Sequence, residues 1–289
     1  MKRIVAAFCT TLVLAACGSV AVVETPQQVV LTASQKMSSD VKTAKFDMAA
    51  NIVETFPPAL AQSLGAQGGG LSNITVDVSG KGQMQLPDKA AMNFQAKVGG
   101  VTVTVDSVVA GGKFYIKDPT TGNWTLAQGT SGLGQFSNQL DPISTTDLLK
   151  SVQSVKDLGD TKLNGTDVHH YEIVPDKTKL EAQMGSSGLS AQMQAVIKNM
   201  VDKGTFHIEV WIGKGDHLLR QVKEDIDANL DLGAILAAAM PAGATPFPGI
   251  PANATIHLVG HISVNLHDFS RYARRRRAVP LIRRFQPAG

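Results

Sequence analysis

Residues able to do chemistry are few in this chain and mostly badly placed for it. There are two cysteines, Cys9 and Cys17. Cys9 lies inside an apolar run from Ile4 to Leu14, whereas Cys17 follows Leu14-Ala15-Ala16 and precedes Gly18-Ser19. The seven histidines lack metal-ligand spacing. His257 and His261 are four residues apart on a strand, which puts them on one face without making them adjacent. His169 and His170 point to opposite faces of another. Gly129-Thr130-Ser131-Gly132-Leu133-Gly134 does not join a strand to a helix in a parallel unit, so it is no phosphate loop. No Gly-x-Ser-x-Gly elbow occurs. Catalysis, a metal and a cofactor are therefore not expected. Cys17 is the thiol to follow.

Lys2 and Arg3 give a positive start, and the apolar run after them has the length of a signal-peptide core. It is short of the roughly 20 residues that span a bilayer. Leu14-Ala15-Ala16-Cys17 resembles the bacterial lipoprotein signal, in which the cysteine is diacylated and the preceding peptide is removed. The other reading is an ordinary secretory signal that contains Cys17. With Cys9 lost and Cys17 carrying lipid, the mature chain would have no disulfide. Its core must then hold without staples, which about 250 residues can manage.

Of 289 residues, 43% are hydrophobic and only 5% aromatic, so the core is built from aliphatic side chains. Seven arginines crowd the end: Arg271, Arg274, Arg275, Arg276, Arg277, Arg283 and Arg284. Without these, Lys2 and Arg3, 18 basic residues face 24 acidic ones. An acidic body argues against nucleic acid as a partner. The basic tail, 271–289, either binds anionic head groups or reflects where the reading frame ends.

The elements follow from periodicity. Val30, Ala33, Met37, Val41 and Ala44 predict a first helix over 27–44. Period-two alternation then runs through 46–53, 74–86, 92–98 and 101–106, with Gly99-Gly100 as a hairpin turn. Leu148, Leu149, Val152 and Val155 predict a helix over 144–158. Asn164-Gly165 joins two short strands, and helices are expected over 176–184 and 189–203. Strands return from Phe206 to Leu266. Segments 54–72 and 230–251 interrupt as insertions. The sum is an α+β chain: a curved antiparallel sheet, apolar on one face, with a few helices covering that concave face. Expected boundaries are signal 1–16, tether 17–26, one domain over 27–270 and the basic tail.

Two phrases carry a likeness: Leu158-Gly159-Asp160-Thr161-Lys162-Leu163-Asn164-Gly165-Thr166-Asp167-Val168-His169-His170-Tyr171, and Val210-Trp211-Ile212-Gly213-Lys214-Gly215-Asp216-His217-Leu218-Leu219-Arg220. With the lipoprotein signal and the element order, the chain resembles the LppX/LprG envelope lipoproteins and, more distantly, the LolA and LolB carriers. The resemblance implies a LolA-like half-barrel that holds acyl chains of a lipid or glycolipid in an apolar cavity, to carry or present them. It implies attachment through acylated Cys17 at the outer face of the bacterial cell membrane. The implied partners are the lipid and a lipid exporter or another envelope protein. The alternative is a structural or regulatory lipoprotein that binds a protein partner.

Sheet-face positions Val76, Val78, Met92, Phe94, Val103, Val105, Phe114 and Ile116 are the candidate cavity lining. Phe56 and Leu60 in the first insertion, with Leu230, Leu232, Ile235 and Leu236 in the second, are candidates for a cavity mouth or lid. The plainer reading of Leu230 to Met240 is a core helix.

Overall fold

The computed structural model describes residues 24–58, 61, 72–86, 89–110, 113–126, 149, 152–186, 191–239 and 254–271. Helix α1 spans Pro26–Ser39 and starts on a capping box. Thr25 accepts from the Gln28 backbone N–H, and the Gln28 side chain accepts from the Thr25 N–H. Pro26 sits in the first turn, where its missing N–H costs nothing. Val29, Val30, Ala33 and Met37 form its buried stripe. The helix is shorter than the periodicity predicts, for Val41 and Ala44 belong to strand β1, Val41–Thr55. The pairing of β1 with β11, Thr255–Arg271, slips in register between Val41 and Lys45. An irregularity there lets two residues three apart face the same side, which imitates helical spacing.

The same device corrects the described part of the helix expected over 144–158, of which residues 144–148, 150 and 151 lie outside the described residues. Strand β7 occupies Val152–Leu163. Its pairing with β8, Thr166–Pro175, shifts between Val152 and Ser154, so Val152 and Val155 both reach the core side. β-Branched residues and a bulge had produced a three-residue step without a helix.

The other strands are β2 Asn73–Gln85, β3 Lys89–Val98, β4 Val101–Ala110, β5 Lys113–Lys117, β6 Trp124–Leu126, β8 Thr166–Pro175, β9 Gly204–Gly213, β10 Leu219–Asp231 and β11 Thr255–Arg271. They form one antiparallel sheet of eleven strands in the order β6-β5-β4-β3-β2-β1-β11-β10-β9-β8-β7. The chain starts at the centre, meanders out through β6, and returns from the far edge until β11 lies against β1. The sheet is not closed, since β6 and β7 are its two edges. The turns are those that the dipeptides require. Asn164 and Gly165 have φ of 50° and 81°, and Gly99 and Gly100 have 57° and 84°, which matches primed hairpin turns.

The long inner strands present an apolar and a polar side. On β1, Ala44, Phe46, Met48 and Ala50 are buried while Lys45, Asp47 and Ala49 are exposed. The apolar side is the concave one, covered by the helices in two places. At one end α1 lies over β1, β7, β9 and β10, and its stripe joins Phe46, Met84, Met92, Phe94, Ile208 and Val222 in a first core cluster. At the other end α3, Ala191–Lys203, packs on β9 and β10, and α4, Leu232–Ala239, packs on α3 and β11. Ile226, Ala228, Leu230 and Ile235 form a second cluster there. Helix α2, Lys177–Ser186, sits beside α3.

Candidate functional site

The two faces have opposite chemistry, and each holds a candidate. Each of the seven histidines stands within 3.6 Å of a carboxylate oxygen, most of them on the polar face. His261 meets Asp225 at 2.6 Å, His257 meets Asp227 at 2.9 Å, and His267 meets Asp47 at 3.1 Å. His170 bonds Glu209 and stacks on Trp211, with ring centroids 4.3 Å apart. No group of three or more metal-capable side chains occurs among the described residues. Two grooves of about 600 and about 620 Å³ also open on this face. Polar side chains such as Asn51, Asp77 and Lys223 line one, and Lys81, Asn93 and Trp124 the other.

One of these pairings carries a pH dependence. A hydrogen bond to Glu209 raises the His207 pKa above 6.5, against the opposing effect of partial burial and helped by the Glu172 charge. A histidine raised on folding stabilises below its unfolded pKa, and this is lost as pH rises through the folded value. His207→Gln is therefore expected to lower stability at pH 6 more than at pH 8. Urea denaturation at both pH values checks this, and an equal loss at both would contradict it.

The concave face is aliphatic but unevenly covered. Met92, Phe94, Val105 and Phe114 are buried in the first cluster. Val76, Val78 and Ile116 are only half-buried. Val103 lies at the tip of the β3–β4 hairpin and is exposed with Val98 and Val101, at 46%, 42% and 64%. Ile52, Ile74, Ile256, Leu258 and Ile262 are half-buried as well. Half-buried aliphatics thus run across the middle strands from the edge of the first cluster to that tip.

Of the expected mouth residues, Leu230 and Ile235 are buried in the second cluster. Leu232 is half-buried at the start of α4, and Phe56 is half-buried just past β1. Cys17, Leu60 and the side chain of Leu236 lie outside the described residues.

Several solved structures align with most of this chain. LprF from Mycobacterium bovis matches over 84% of this chain and 92% of its own, at 13% identity and a TM-score of 0.41. LppX from Mycobacterium tuberculosis matches over 83% and 91%, at 13% identity and 0.38. A LolA superfamily protein from Nitrosomonas europaea matches over 90% and 97%, at 9% identity and 0.28. No family model and no curated protein matches the chain.

Two residues that the sequence reading passed over stand out on the concave face. Glu54 and Glu224 occupy inward positions of β1 and β10 by register: Glu54 opposes Ile74 and Leu258, and Glu224 opposes Ile208 and Ile262. Burial raises both pKa values, that of Glu224 to about 7. The signal was available as parity, since Glu224 falls in step with Val222, Ile226, Ala228 and Leu230. An acidic residue in step with buried aliphatics on a strand is an anomaly worth marking.

Proposed function

We propose that this chain is an envelope lipoprotein, anchored through acylated Cys17, that takes acyl chains of a lipid or glycolipid against its concave face and carries or presents them. The observation that carries the reading is the half-buried aliphatic run from Ile262 through Ile52 and Val76 to the exposed Val98, Val101 and Val103. Each methylene moved from water to such a surface gains about 0.8 kcal/mol. A chain of sixteen carbons therefore gains on the order of 10 kcal/mol, enough to hold a lipid without covalent chemistry. The sequence at Leu14-Ala15-Ala16-Cys17 supports delivery to a membrane, where such chains are found.

Organic extraction of the protein purified from membranes, followed by mass spectrometry, tests the reading. Acyl lipid in stoichiometric amount is the expected result. Lipid-free protein that also fails to take up added lipid would sink it. Cys17→Ser is expected to move the protein from the membrane fraction to the soluble fraction. Immunoblotting of both fractions reads the outcome, and unchanged partitioning would show another attachment.

The exposed hairpin tip favours a second reading, a scaffold for a lipid exporter or another envelope protein. It predicts cross-linking to such a partner from Val101 even when no lipid is bound.

A further inference from the structure

We infer that the concave face contains a polar subsite for a hydrogen-bond-donating head group, a hydroxyl or an amine, centred on the Glu224 carboxyl beside Gly260. The inference rests on the lipid-binding reading and names the head-group chemistry that reading leaves open.

Three observations converge. The first is placement. Residues of β10 alternate, with Val222, Ile226, Ala228 and Leu230 buried and Lys223, Asp225, Asp227 and Asn229 in water. Glu224 follows the buried parity and lies between Ile208 on β9 and Ile262 on β11. It also falls at the seam of the two clusters, with Val222 in the first and Ile226 in the second.

The second is isolation. Asp225, Asp227, Asp47 and Glu209, on the other face, all hold a histidine. Among the described residues Glu224 has no hydrogen bond and no ion pair, and only burial acts on it. An unpaired carboxyl among aliphatics lowers stability, whereas a valine there would not. A ligand that donates a hydrogen bond supplies what the fold does not.

The third is room. Gly260 pairs with Ile226, one step along β11 from the Glu224–Ile262 pair on the same face. A Cβ built on Gly260 would fit without a clash, in ordinary contact with the Ile226 side chain at 3.8 Å and the Leu258 side chain at 3.9 Å. The glycines over the first cluster differ: a Cβ would come within 3.0 Å of Phe94 at Gly80 and within 2.7 Å of the Phe46 ring at Gly82. Side chains have closed over those two, whereas Gly260 would admit a Cβ.

Chemistry then selects the occupant. The nearest inward carboxyl is Glu54, two strands away and four residues along, roughly 16 Å by sheet spacing. No lysine or arginine shares the inward positions of the neighbouring strands β1, β9 and β11 near Glu224. A phosphate or carboxylate would meet an acid with no counter-ion. A hydroxyl or ammonium group would find an acceptor.

The test uses full-length protein stripped of lipid and three probes of one chain length: monoolein with hydroxyls, oleylamine with an amine, and oleate with a carboxylate. Native mass spectrometry and fluorescence displacement at pH 8 read their affinities. The wild type is expected to bind monoolein or oleylamine about tenfold or more above oleate, the effect of one charge-assisted hydrogen bond. Which of the two it prefers tells a hydroxyl head from an amine. Glu224→Val should remove the discrimination while oleate still binds, and Glu224→Gln should keep the preference for monoolein while losing any for oleylamine. Gly260→Leu should weaken all three.

Selectivity that survives Glu224→Val, or a wild type that binds all three probes equally, would overturn the subsite and leave lipid binding standing. A wild type that binds no probe would overturn the lipid-binding reading and the subsite together. Circular dichroism confirms that each variant is folded.

Discussion

Phe46→Ala is expected to cost about 3–5 kcal/mol of folding stability, read as a lower urea midpoint with an unchanged slope. Phe46 is 1% exposed and joins the first core cluster. Its ring lies over Gly82, close enough that a Cβ on the glycine would fall within 2.7 Å of it. The strand beneath therefore has no side chain with which to fill the void. Sites that cannot collapse give the larger losses in such series. Leu266 opposes Phe46 on β11, so the damage reaches the pairing that joins the first and last strands. A loss under about 1 kcal/mol would show that the ring does not seal this core.

Glu224→Gln is expected to act the other way and to stabilise the protein at alkaline pH. The carboxyl titrates near 4.5 when free and at about 7 in the fold. Between those values the folded state holds a proton that the unfolded chain has released, so stability falls as pH rises through this window. The whole penalty, about 3 kcal/mol, is in force above pH 7 and absent below pH 4.5. Glutamine never ionises. The variant should melt roughly 6–10 °C higher than the wild type at pH 8, with the difference closing by pH 4. A difference that does not change with pH would mean that the charge is compensated in solution.

Periodicity reads one contact surface at a time, and that sets what the sequence made legible. Long strands with a single buried face, such as Asn73–Gln85 and Lys89–Val98, alternate cleanly because each residue has only two possible environments. Asn164-Gly165 and Gly99-Gly100 fix hairpins through backbone conformations that other residues resist. The misread elements share one cause. At Val41–Ala44 and Val152–Val155 a slip of register changes which residues share a face, so the spacing looks helical. The strand order was invisible, because nothing local in β1 announces a partner more than two hundred residues away.

The candidate site divides along the same line. Which residues are apolar and inward could be read from alternation. Which of them are sealed could not, because Phe94 and Val76 carry the same signal. One is buried in the first cluster and the other only half-buried. Glu224 was legible in principle, but β10 also carries Asp225 and Asp227, and a run of acids hides the one that points inward.

The start of α1 sets a polarity on the molecule. Glu24 reaches His217 at 3.6 Å, and Lys36 donates to the Asp216 carbonyl at 3.3 Å. Both ends of the helix are thus moored to the β9–β10 turn, at the level of Lys45 on β1. The aliphatic hairpin tip lies near the level of Glu54, roughly 30 Å away along the strands. On the proposed anchoring, the leash from Cys17 to Glu24 adds at most about 25 Å. The domain is then a jib fixed at its heel: lying flat it lays its greasy tip on the home bilayer, and upright it swings that tip roughly 50 Å outward, towards whatever stands on the far side of the gap.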